Sequence, residues 1–421
     1  MKKISGAKKN TRFANRRSRK NKHTIEGPEA KNLTPEFNDI SNVKANPESS
    51  NTSTIMARRE FARVIAAGVI VGGITHSTKA ANYVASTMTA RKKNTLHHVG
   101  GDYHCVMGDH WTSKENFEFH QRYGVRHLTN IMRMDEWDID EMKRWKDLCD
   151  KNVMIWEAIR MDSSYIYLPP GPGRDRKIEE IIDHIKIASQ VGVKVITMHW
   201  TLIPIRRNLK TPGRGGSSYA SFKLEDNWKE LPPTSHGVVS YKDYWERITY
   251  FLKSVIPIAQ QYDVRMAIHP YDPPGLPRGY QGVDNWDAAP STVLESLQRY
   301  EAIIDSPYNG FQLCLGTCME GLKNPGTELL PIVRYFAGKG KIHQIHMRNI
   351  RGGLHNFQEV FIDEGEANFI EVIRILRDSE FAWSICPDHV QRHPDDPNLS
   401  HGFAHGFGYI QALIDCANSE V

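Results

Sequence analysis

The chain has 421 residues, of which 40% are hydrophobic, with sixteen Tyr and nine Trp. That is too long for one small domain and ample for a large α/β domain with extensions. Its formal charge of +5 does not mark a nucleic-acid binder: residues 1–55 hold twelve Lys/Arg against five Asp/Glu, which leaves the remainder slightly acidic. The six scattered Cys argue against a disulfide framework.

Residues 1–55 are rich in Lys, Asn, Ser and Thr and read as a disordered basic leader, one that need not be translated. Residues 56–82 begin with Met56, a second candidate start, and carry Arg58-Arg59, Phe61 and a short apolar stretch from Ala66 to Ile74. This pattern resembles a twin-arginine export signal, and an amphipathic surface helix is the alternative. Use of the signal would make the protein periplasmic; otherwise it is cytoplasmic. No segment reaches the ~20 apolar residues of a stable membrane span.

From residue 95 to 421 strand and helix patterns alternate. The predicted strands are Tyr103–Met107, Val125–Thr129, Val153–Ile159, Val193–Met198, Val264–Ile268, Phe311–Leu315, Ile342–Ile345 and Phe381–Ile385. Between them lie helical stretches such as Asp138–Asp150, where Ile139, Met142, Trp145 and Leu148 recur every three residues and Asp138 is placed to cap. Lys177–Gly192 is amphipathic and ends on glycine. Short strands that are apolar on both faces suit a parallel sheet, and eight βα units suit a (β/α)8 TIM barrel. An open doubly wound sheet is the alternative, but no Gly-rich phosphate loop follows the first strand. Trp200–Gly237 reads as a long Gly/Pro/Arg-rich loop on the active-site face, with Arg206, Arg207 and Arg214 able to meet an anionic substrate.

In such barrels the catalytic groups project from the C-terminal ends of the strands. Strand four ends at His199, strand five at His269, strand six carries Cys314, strand seven ends at His346 and strand eight at Asp388-His389. A lone strand-end His is more often a hydrogen-bonded core residue than a ligand. His269, Cys314, His346 and Asp388 on four consecutive strands point instead to a metal site. Two imidazoles, a thiolate and a carboxylate exclude a Mg²⁺ or Ca²⁺ oxygen cage and suit Mn²⁺, Fe²⁺, Co²⁺ or Zn²⁺.

The ordered series "VGVKVITMHW", "GRGGSS", "MAIHPYDPPGLPRG", "IDSPYNG", "GFQLCLGT", "IHQIHMRNI" and "CPDHV" resembles the mannonate dehydratase family over roughly Gly173 to Ala417. The resemblance implies a xylose-isomerase-like barrel that dehydrates D-mannonate to 2-dehydro-3-deoxy-D-gluconate in hexuronate catabolism. It implies Mn²⁺ or Fe²⁺ held by His269, Cys314, His346 and Asp388, with His389 in acid/base work. For the remaining roles, Arg348 is the candidate clamp for the substrate carboxylate. His199 and Asn349 are candidate substrate contacts, with structural roles as their alternatives, and Asp272 either orients a ligand or stiffens its turn. Three departures stand out. Tyr271 replaces a family Asp, Cys386 replaces a family Arg, and the final loop lacks the family's catalytic Tyr, for which His401 or His405 is the candidate substitute.

The expected partner is a small sugar acid, with no nucleic acid and no membrane span, and a homo-oligomer is left open. The rival functions are an isomerase or epimerase of the same barrel class, and a sugar-acid binding protein that has lost catalysis.

Overall fold

Short strands buried on both faces set the architecture, because such strands must be covered by helices outside and by each other's side chains within. The computed structural model describes residues 96–288 and 291–420. The leader of residues 1–55 and the export-like segment of residues 56–82 lie outside them.

The chain runs β1 (His98–Gly101), α1 (Lys114–Arg122), β2 (His127–Met132), α2 (Ile139–Lys151), β3 (Ile155–Met161), α3 (Pro172–Gln190) and β4 (Val195–Met198). After a two-stranded insertion, β5 (Leu209–Pro212) and β6 (Ser218–Lys223), come α4 (Tyr241–Gln261), β7 (Arg265–Ile268), α5 (Val293–Glu301) and β8 (Asn309–Cys314). Then follow α6 (Leu315–Glu320), α7 (Pro325–Gly338), β9 (Ile342–His346), a hairpin of β10 (Asn349–Gly353) and β11 (Asn356–Val360), α8 (Phe369–Asp378), β12 (Ser384–Cys386) and α9 (Ser400–Asn418). The eight parallel strands β1, β12, β9, β8, β7, β4, β3 and β2 close into a barrel. The TIM barrel read from the sequence is the fold observed.

Local sequence explains the helices. Asp138 accepts the Glu141 N–H at 2.8 Å and starts α2. Ile178, Ile181, Ile185 and Ala188 give α3 one buried stripe. Thr292 and Glu295 form a reciprocal capping box at α5. Inside the barrel, Gln344 donates to Thr129 Oγ1 at 2.8 Å and to Ser384 Oγ at 3.1 Å, and Gln312 donates to Gln344 Oε1 at 2.6 Å. This polar layer joins four strands directly under the site.

Two expectations are corrected. The first strand is His98–Gly101, not Tyr103–Met107, which is the loop that follows it. Glycine is required there: a Cβ on Gly100 would sit 2.6 Å from Ser384 Cβ and 2.8 Å from Cys386 Sγ, so only a bare backbone closes the barrel against β12. The segment after β4 is not a structureless loop either. β5 and β6 pair antiparallel with the β10–β11 hairpin in the order β10-β11-β6-β5. This second sheet grows from the C-terminal ends of β4 and β9, so it stands over the catalytic mouth.

Candidate metal centre and active site

His346 closes β9 and Cys314 closes β8, while His269 directly follows β7. The ligand atoms of His269, Cys314 and His346 all lie within 4.8 Å of one another. Asp388, two residues beyond β12, completes the group: its Oδ2 lies 3.4 Å from Cys314 Sγ and its Oδ1 3.5 Å from His346 Nδ1. All four side chains are buried.

The second ring nitrogens are spoken for in the way a metal site requires. His269 Nδ1 donates to the Pro270 carbonyl at 2.6 Å, which leaves Nε2 as its donor atom. His346 Nε2 lies 3.1 Å from Asp102 Oδ2, and its buried Nδ1 has no hydrogen-bond partner among the described residues. An orphaned imidazole nitrogen facing a carboxylate and a thiol is what a divalent cation would satisfy. The donor set therefore fits a divalent cation. Burial and neighbouring Asp388 push the Cys314 thiol up, a cost that a coordinating cation removes by displacing the proton. Burial would lift Asp388 too, but His389, His346 and Arg348 hold it well below the usual carboxylate range.

Around this cluster lies a dense ionic cage. Arg348 donates from Nε to Asp388 Oδ2 at 3.0 Å, from Nη1 to Glu320 at 2.7 Å and also to Glu359, and from Nη2 to Thr317 at 2.9 Å. Arg207 meets Asp272 at 2.7 Å, Glu320 at 2.9 Å and Glu359 at 2.7 Å. Burial drives Glu320 well above the carboxylate range, while Asp272 and Glu359 are held below it by the two arginines. Glu320, Asp272 and Glu359 thus share the two guanidinium groups, and Arg348 also holds Asp388.

His389 lines a cavity of about 410 Å³ together with His104, Arg207, Lys210, Glu359 and Asp388. Its Nδ1 lies 3.0 Å from Glu359 Oε1. Burial lowers its affinity for a proton, but Asp388 and Glu359 outweigh that and raise its pKa to about 9. The imidazolium is therefore the resting form at neutral pH.

Three residues were not read from the sequence. Asp102 and His104 follow β1, with Asp102 Oδ1 only 2.5 Å from His104 Nδ1. His104 faces His389 edge-on, with ring centroids 5.1 Å apart. Arg160, near the end of β3, lies over the Tyr103 ring, and its buried Nη1 has no hydrogen-bond partner among the described residues. An Asp-x-His after the first strand was the available signal, and placing that strand five or six residues too late concealed it.

Several expected contacts are corrected. Arg348 is only 1% exposed, donates to Asp388, Glu320, Glu359 and Thr317, and does not line the cavity. Arg214 points to Asp363, with which it makes a two-pronged pair at 2.7 and 2.9 Å, and does not line the cavity. Asn349 shapes its loop by donating to Ile362 O and accepting from the Ile350 and Ala367 N–H groups. His401 is 78% exposed, because the Asp396 carboxylate binds the first N–H groups of α9 and turns the side chain outward. His199 does stay near the cluster, with its ring 4.9 Å from that of His269 and its buried Nε2 unpartnered among the described residues. Arg207 reaches the cavity but is already engaged by three acids.

The departures take structural roles. The Tyr271 hydroxyl donates to Ile203 O at 2.9 Å, and buried Cys386, the strand partner of His346, lies 3.8 Å from Ser384 Oγ.

The profile of D-mannonate dehydratase (UxuA) matches residues 121–419. The chain belongs to the D-mannonate dehydratase family. The match reaches further toward the N-terminus than the motif series that begins at Gly173. The mannonate dehydratase of Thermotoga neapolitana is 28% identical over 302 residues, covering 62% of this chain and 80% of the relative. That of Geobacillus thermodenitrificans is 27% identical over 340 residues, covering 70% and 86%. The crystal structure of the mannonate dehydratase from Streptococcus suis serotype 2 superimposes with a TM-score of 0.64 at 22% identity, covering 77% and 94%. A xylose isomerase domain protein from Alicyclobacillus acidocaldarius shares the fold at a TM-score of 0.50 and 10% identity. Among the described residues no helix is long and apolar enough to cross a membrane.

Proposed function

We propose that this member of the mannonate dehydratase family is a hydro-lyase that removes water from D-mannonate or a closely related aldonate, using Mn²⁺ or Fe²⁺. The carrying observation is the buried, orphaned Nδ1 of His346 facing Asp388 and Cys314 beside a cavity lined by two histidines. His269, Cys314, His346 and Asp388 would hold the ion. When bound, the ion supplies a Lewis acid that stabilises negative charge on the substrate as its C2 proton leaves.

The remaining work falls to side chains. Dehydration needs a base at C2–H and an acid at the C3 hydroxyl. His104 suits the base: its Nδ1 is held by Asp102, so the opposite nitrogen is free to accept a proton, as in a carboxylate–imidazole dyad. His389 suits the acid, because its acidic neighbours keep it protonated at neutral pH. His104 thus stands in for the missing tyrosine of the final loop. Arg160 and His199, each with a buried nitrogen that has no partner among the described residues, suit the substrate's carboxylate and a hydroxyl.

The test is metal analysis of the purified chain beside Cys314→Ala and Asp388→Ala, each assayed against a panel of aldonates. Metal content and turnover fall together in both variants if the assignment is right. Unchanged metal content in both would remove it.

A further inference from the structure

At the opposite end of the barrel lies a second convergent group. His98 and His127 are the first residues of β1 and β2, and Glu157 lies near the start of β3. This is the N-terminal rim, four residues or about 13 Å of strand away from Asp102. Glu157 Oε2 lies 2.7 Å from His98 Nε2 and 2.5 Å from His127 Nδ1, and the two imidazole rings lie tilted at 31° with centroids 3.5 Å apart.

Glu157 reaches this position through an irregularity in the sheet. Leu128 pairs with Trp156 and Thr129 with Ala158, so Glu157 is the extra residue of a bulge in β3. Bulges re-aim single side chains and concentrate beside functional sites. The Ser384 N–H donates to Glu157 Oε1 at 2.9 Å and fixes the carboxylate with Oε2 toward the rings. Burial would raise this carboxyl, but the hydrogen bonds from His127 and His98 dominate and bring it down to about 2, so it is ionised throughout the physiological range.

We propose that His98, His127 and Glu157 form a second metal site, selective for a zinc-like divalent cation and separate from the catalytic centre. Two neutral imidazoles and one carboxylate are the donor set of open His₂Glu zinc sites. Their inward atoms already converge, and those of His98 Nε2, His127 Nδ1 and Glu157 all lie within 4.8 Å of one another. A divalent cation between them would take the place of both inward N–H protons at once. The protons move to the outer ring nitrogens, which water can reach because the two side chains are 27% and 23% exposed. The same exposure leaves a fourth coordination position open to solvent. Residues at this end of a barrel more often serve stability than chemistry, so the site is assigned a structural cation that ties three strands together.

Equilibrium dialysis of the full chain, stripped of metal and returned to Zn²⁺, tests this by counting. Wild type is expected to bind one more zinc per chain than either His127→Gln or Glu157→Gln. Equal stoichiometry in wild type and a folded His127→Gln variant would overturn the site in favour of a hydrogen-bonded cluster alone. Anomalous scattering from zinc-soaked wild-type crystals needs no variant. A peak between His98 Nε2, His127 Nδ1 and Glu157 Oε2 supports the site, whatever is found at Cys314. A peak at the Cys314 cluster and none here refutes it.

Discussion

The Asp102 carboxylate serves two imidazoles at once: Oδ1 lies 2.5 Å from His104 Nδ1 and Oδ2 lies 3.1 Å from His346 Nε2. One buried side chain thereby fixes both a candidate base and a candidate ligand. His104→Gln is expected to lower kcat by about 10²–10⁴-fold, the usual contribution of a positioned acid or base, while bound metal stays at the wild-type level. Asp102→Asn is expected to weaken metal binding as well, by roughly 10–100-fold. Steady-state kinetics beside metal titration separates the two, and loss of metal from His104→Gln would count against its role.

Arg348 holds Asp388 from within a cage of acids. Arg348→Met leaves Glu359 and Asp272 short of a buried partner and is expected to destabilise the fold by about 3–5 kcal/mol. Denaturant unfolding measures that, and metal titration should show weaker binding because Asp388 is released. A stability loss without any change in metal affinity would mean that Arg348 does not position the ligand.

Arg160 is expected to act on the substrate rather than on the fold. Arg160→Gln should reduce kcat/KM by about 10- to 100-fold, the scale of a lost charged hydrogen bond, chiefly through KM and with unchanged thermal stability. The opposite outcome is expected for the outward residues. Arg214→Ala and His401→Ala should leave kcat within about twofold, since Arg214 is paired with Asp363 at the surface and such pairs contribute only ~0–1 kcal/mol.

Asp287 gives a pH signature. Burial raises its carboxyl from 3.8 to about 8. Below pH 3.8 the folded and unfolded chains both hold the proton, so its contribution is fully present. Between there and about pH 8 only the folded chain keeps it, and stability falls as pH rises, by up to roughly 1.4 kcal/mol per pH unit. Asp287→Asn is expected to flatten this part of the profile. Thermal melts at pH 5, 7 and 9 would show the wild type losing ground to the variant, and parallel profiles would remove Asp287 as the cause.

Much of this was legible because parallel-barrel strands announce themselves as apolar runs and their final residues face the pocket. His269, Cys314, His346 and Asp388 could be read in that way, one strand at a time. The first strand could not: His98–Gly101 carries two glycines, whose value lies in their closeness to Ser384 on the neighbouring β12 and to His120 on α1, which no local propensity reports. The following Tyr103–Met107 looked more like a strand, and with the strand misplaced Asp102 and His104 were hidden. The pairing of Arg348 and Arg214 was not legible for a different reason. A sequence gives the charge of an arginine but not the acids from distant elements, such as Glu320, Glu359 and Asp363, that consume it.

The most direct measurement is the mass of the product formed when the Mn²⁺-loaded chain is incubated with D-mannonate. The expected result is a product lighter than the substrate by one water, formed by wild type and lost in Cys314→Ala. A product of unchanged mass would indicate an isomerase or epimerase, and bound but unconverted aldonate would indicate a binding protein; either would contradict the proposed hydro-lyase.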